Sequence, residues 1–84
     1  MSPFAKQYPH LAWWIENHGF IEVGQNGYSR SLLRVLDEGG MCFEDEKSGT
    51  VDDALAAGER FLEKELAERF LMKRNAKTGE FEDL

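Results

Sequence analysis

The stretch FIEVGQNGYSRSLLRVLDEGGMCFE, Phe20 to Glu44, carries three runs of branched or aromatic residues separated by glycine-containing turns. Phe20–Gly24, Ser29–Asp37 and Met41–Glu44 are predicted strands. Asn26-Gly27 and Gly39-Gly40 are the turn signals between them. Three-residue loops, Gln25–Gly27 and Glu38–Gly40, each with glycine in the left-handed position, set a register that the side chains can test. Ile21, Val23, Leu33, Val35, Met41 and Phe43 then share one side. On the other side Glu22 falls opposite Arg30, and Arg34 opposite Glu44, both favourable cross-strand pairs. A two-residue Asn26-Gly27 turn would place Ile21 and Val23 on the face opposite to Leu33 and Val35, because a one-residue slip turns every side chain over. The three-residue register is therefore preferred.

That register leaves Phe20, Leu32, Leu36 and Cys42 among the charges of the second face. An apolar strip rimmed by charge marks a candidate contact surface when helices cover only the other face. Phe20, Arg30, Leu32, Arg34 and Leu36 are its candidate partner-binding residues. Cover by the N-terminal arm, or by the C-terminal residues Phe81 and Leu84, is the intramolecular alternative. Simple exposure is the third.

Helical patterns flank the strands. Pro9 suits the first position of a helix, where its missing N–H costs nothing. Leu11, Trp14 and Ile15 follow at helical spacing, and Gly19 is placed to stop the helix in a left-handed conformation. Thr50 is a predicted cap for a helix running from Val51 to about Lys73, with Asp53 three residues on. Asp52 and Asp53 suit its positive end. Val51, Leu55, Gly58, Leu62, Leu66 and Phe70 form its apolar stripe, and Glu65 and Arg69 an i,i+4 pair. The fold class is α+β, in the order α-β-β-β-α: a three-stranded antiparallel meander with two helices packed on one face. Residues 1–8 read as an N-terminal arm, 9–74 as a single domain, and 75–84 as a flexible tail.

Composition narrows the function classes. The 84 residues carry a net charge of −6, from sixteen acids against ten bases. Such a chain repels a phosphate backbone and an anionic membrane surface on average, so neither nucleic acid nor membrane is an expected partner. Cys42 is the one cysteine, so no internal disulfide can form, and with no apolar leader or span the expected location is cytoplasmic. His10 and His18 lie about two helical turns apart, too far to share a metal. Cys42 sits among acids, which raise a thiol pKa. Gly24, Gly27, Gly39 and Gly40 belong to hairpins, and no glycine-rich phosphate-binding loop precedes a helix. No metal, cofactor or catalytic residue is expected, and the chain reads as a non-enzyme. Trp13 points away from the centre of its helix's apolar stripe. It either packs over the helix flank with Tyr8 or serves as an interaction anchor.

The element order, over residues 9–73, resembles the double-stranded RNA-binding fold. Where that family carries lysines at the start of its second helix, this chain has Thr50-Val51-Asp52-Asp53-Ala54, an acidic stretch. Thr50 to Leu55 and the strands before it also resemble small antitoxins of the HicB type. The stretch from Trp13 to Gly40 resembles small bacterial proteins of unknown function. The leading expectation is a protein-interaction module that binds a protein partner or a second copy through the outer sheet face. The alternative is an acidic antitoxin or inhibitor that covers a basic partner with Asp52, Asp53, Glu59 and Glu63.

Overall fold

Ser2 begins the ordered elements: its hydroxyl accepts the Ala5 N–H at 3.1 Å and caps a short helix, α1 (Pro3–Gln7). The predicted arm is thus partly helical, and Phe4 packs its ring on Tyr8. The computed structural model describes residues 2–25 and 30–84. After α1 come α2 (Pro9–Asn17), β1 (Phe20–Val23), β2 (Leu33–Asp37), β3 (Gly40–Asp45), α3 (Val51–Arg69), β4 (Met72–Arg74) and β5 (Phe81–Asp83). The first three strands form an antiparallel meander in the order β1-β2-β3, and β4 and β5 form a separate hairpin.

The core sits between the meander and the two longer helices. Leu11 and Trp14 from α2, Leu33 and Val35 from β2, and Leu62 and Leu66 from α3 are fully buried together. Helix α3 crosses β2 closely. A methyl group on Gly58 would overlap the Leu33 side chain, so the glycine is required for space. Ala54 is buried where the predicted stripe placed Val51, which is exposed. Thr50 caps α3 as expected, accepting the Asp53 N–H at 3.1 Å, and Glu65 pairs with Arg69.

Four expectations are corrected. First, the β1–β2 connection is longer than three residues. Phe20 pairs with Leu36, Ile21 with Val35 and Glu22 with Arg34, so Glu22 is not opposite Arg30. The displacement is even, so Ile21, Leu33 and Val35 keep their common face. The Asn26-Gly27 turn itself lies outside the described residues. Second, Arg34 does face Glu44, but the register shifts between Val35 and Leu36, and Met41 then pairs with Leu36. Cys42 is the extra residue of this bulge. It packs against the core, while Met41 moves to the outer face with Leu36.

Third, Gly19 is absent from the positive-φ residues. Its constraint is again space: a Cβ would overlap the Leu36 carbonyl oxygen and the Trp14 indole. Fourth, α3 stops at Arg69, with Phe70 as its cap and Leu71 at φ 54°. Lys73 and Arg74 lie in β4, and the segment expected to be a flexible tail returns as β5, with Phe81 packed against the core. Among the described residues no helix is long and apolar enough to cross a membrane.

Candidate functional site

The outer face of the meander consists of two cross-strand rows. Phe20, Leu36 and Met41 are directly opposed across the three strands, as are Glu22, Arg34 and Glu44. Directly opposed residues project to the same side. The two rows are therefore neighbours on one surface, one apolar and one charged.

The charged row is closed at its centre, Arg34, while Glu22 at its edge stays exposed. Arg34 is only 4% exposed. Its Nε donates to Glu22 Oε1 at 2.9 Å, Nη1 donates to both the carbonyl and the hydroxyl of Ser31 at 2.9 Å, and Nη2 donates to the Gly24 carbonyl at 2.7 Å. A guanidinium offers five donors in a rigid fork, which suits this clamp on the two ends of the β1–β2 connection. Leu32 is tied to the same connection. Its carbonyl accepts the Gly24 N–H at 2.8 Å, and its side chain packs against the core. Arg34 and Leu32 are thus engaged by the chain itself, and Arg30 is exposed beside the connection.

The apolar row is open. Phe20 is 49% and Met41 51% exposed, and Leu36 between them is half-buried. Among the described residues neither terminal segment covers it. Phe4 stacks on Tyr8, and Phe81 packs on His10 and Trp13. Beneath this row the Trp14 Nε1 donates to the Leu36 carbonyl at 2.9 Å, which fixes the strand on its inner side. At the end of the row His18 Nε2 meets Asp37 Oδ2 at 3.1 Å, and Asp37 also accepts the Gly39 N–H of the β2–β3 turn. The bond to His18, then the one from Gly39, holds the Asp37 carboxyl below its ordinary pKa.

Compared with known proteins, the chain matches no family model, no curated protein and no solved structure. The geometry alone therefore carries the functional reading. Burial pushes the Cys42 thiol pKa up, and the Asp37 carboxylate adds to the effect, an environment that disfavours the thiolate. His10 and Glu59 make the contact closest to a catalytic dyad, with Nδ1 2.5 Å from Oε2. The same carboxylate accepts the backbone N–H groups of His10 and Leu11 at 3.0 Å. These are orphan donors of the first turn of α2, whose own cap residue, Tyr8, supplies no side-chain bond. Glu59 is a remote helix cap. It faces α2, so of the acids proposed to cover a basic partner only Asp52, Asp53 and Glu63 stand exposed.

Trp13 lies in a chain of rings that joins α2 to both ends of the C-terminal segment. Its centroid is 5.9 Å from Phe70 and 5.9 Å from Phe81. The Trp13 flank is therefore packed by the residues that follow α3 and not by Tyr8. Phe70 ends the apolar stripe of α3, but Phe81 carries no periodic signal, because it sits alone in a strand of three residues.

Proposed function

We propose that this chain is a small non-enzymatic protein-interaction module, and that the Phe20–Leu36–Met41 row is the centre of its contact surface. The observation that carries the reading is the contrast within one sheet face. The chain closes the central charged residue, Arg34, with the ends of its own connection, and leaves the central apolar residue, Leu36, half-buried between exposed Phe20 and Met41. A row of large apolar side chains, half-exposed and backed by a rigid strand, suits a hot spot that a partner's side chains desolvate. The partner is another protein or a second copy of this chain. A cytoplasmic setting belongs to the same reading, supported by a single, half-buried, free cysteine.

The test is site-specific photo-cross-linking in the producing cells. A photoreactive phenylalanine analogue replaces Met41 in one variant and Glu63, on exposed α3, in another. The reading expects a discrete protein adduct from position 41 and none from position 63. A chain that stays uncross-linked at position 41, or gives the same diffuse adducts at both positions, contradicts it. The mass of the adduct separates a second copy from a different protein.

A further inference from the structure

On the far side of α2 from the meander, α1, α2 and the C-terminal hairpin enclose a groove of about 440 Å³. Trp13 and Phe81 line it, their rings tilted at 44° with centroids 5.9 Å apart. Pro9, Ala12 and Ala5 supply apolar walls, and Glu16 is the one charged side chain among its lining residues. Glu16 is exposed and joins none of the ion pairs among the described residues. The other large grooves differ in this respect. The one beside the stacked Phe43 and Phe61 carries Lys47 and Arg60, and the one beside His10 carries Lys73 and Arg74.

Two aromatic rings and one carboxylate, with no base among the described lining residues, select a particular ligand chemistry. The faces of aromatic rings are negative, so they attract cations, best those that shed water easily. A metal ion would need several oxygen ligands that this groove lacks. An anion would meet Glu16 and two ring faces. A neutral apolar group would gain nothing from Glu16. Alkylated ammonium groups satisfy both parts of the groove, presenting methyl groups to the rings and charge to the carboxylate. We infer that the Trp13–Phe81–Glu16 groove binds an organic cation of the alkylated-ammonium class, carried either by a free quaternary amine or by a methylated lysine side chain.

The test uses the full chain and reads both tryptophan indole N–H resonances by NMR. Trp14 is the internal control, since its indole is fully buried and bonded to the Leu36 carbonyl. Three probes are titrated: choline chloride, its neutral isostere 3,3-dimethylbutan-1-ol, and a short peptide with one trimethyl-lysine. Choline or the peptide is expected to move the Trp13 resonance and leave Trp14 in place, with the neutral isostere bound about tenfold more weakly. Glu16→Lys, a surface change that preserves the far-UV spectrum, is expected to lose the binding. Tighter binding of the peptide assigns the cation to a protein side chain, and equal or tighter binding of choline to a free amine. Equal affinity for choline and the isostere, unchanged binding by Glu16→Lys, or a static Trp13 resonance at about 10 mM of both cations would overturn the inference.

Discussion

Two neighbouring rows on one sheet face have opposite fates. In the charged row Arg34 is almost fully buried and donates to Glu22, Ser31 and Gly24. In the apolar row Phe20 and Met41 are each about half exposed. Both rows are built on the same three strands, so the difference does not come from secondary structure. It comes from the two ends of the connection after β1, where Gly24 and Ser31 accept from the Arg34 guanidinium. A buried guanidinium must be fully hydrogen-bonded, and the connection's carbonyls supply those bonds. An apolar row makes no such demand. It stays open until something outside the chain covers it.

The largest expected effect comes from breaking the closed row. Arg34→Ala removes the clamp and its bonds to Ser31, Gly24 and Glu22. Urea denaturation should show a loss of about 3 kcal/mol, the scale for breaking a buried, hydrogen-bonded charge network. A loss below about 1 kcal/mol would mean that solvent replaces Arg34 freely, and the two rows would not differ as described.

Next comes the support beneath the open row. Gly19→Ala forces a methyl group against the Leu36 carbonyl and the Trp14 indole. The expected cost is about 2 kcal/mol, as for other overpacked sites. The Trp14 indole N–H resonance should shift as its bond to Leu36 is strained. An unshifted resonance would show that the backbone at Gly19 gives way easily.

The open row itself should contribute little to folding. Phe20→Ser combined with Met41→Ser should cost about 2 kcal/mol at most for the pair, because both side chains keep half their surface in water. Cross-linking from neighbouring positions should nevertheless disappear. A large loss of stability would place these residues in the core of the chain's own fold.

The smallest effect is a pH dependence at the end of the open row. The Asp37 carboxyl titrates below its ordinary value of 3.8 in the folded chain, through His18 and Gly39. A depressed carboxylate contributes stability above the unfolded pKa and loses it as pH falls through the folded one. Asp37→Asn should therefore flatten the acid limb of the stability curve below about pH 4, losing stability at neutral pH and matching the parent chain at the acid end. The Asp45 carboxyl, held down by the Ser48 hydroxyl first and also by the Lys47 and Ser48 amides, should keep part of the slope in that variant. An unaltered acid limb would show that His18 and Gly39 do not hold the carboxylate in solution.

Much of this contrast was legible in the sequence, and its errors have physical causes. The inward face survived because the register error in the first hairpin was even, so Ile21, Leu33 and Val35 kept their side. The Arg34–Glu44 pair was found because a charge pattern marks it locally. The closed state of Arg34 was not legible, since it depends on the backbone carbonyls of Gly24 and Ser31 and not on residue type. The bulge at Cys42 exchanged the faces of Met41 and Cys42, and the nearby Gly39-Gly40 pair read as a turn signal alone. Two further features depend on remote partners. Glu59 caps a helix that begins 50 positions earlier in the chain, at Pro9. Phe81 finds Trp13 and His10 from a strand of three residues, too short to show a period.

The most direct test of the open row is hydroxyl-radical footprinting of Met41 and Phe20, performed on the purified chain and again in extract of the producing cells. Exposed Leu71 and Leu84, which lie outside the sheet face, serve as references. The account predicts rapid modification of Met41 and Phe20 in the purified chain, and selective protection of both in extract with the two leucines unchanged. Equal modification in both preparations would contradict the assignment of this row as a contact surface.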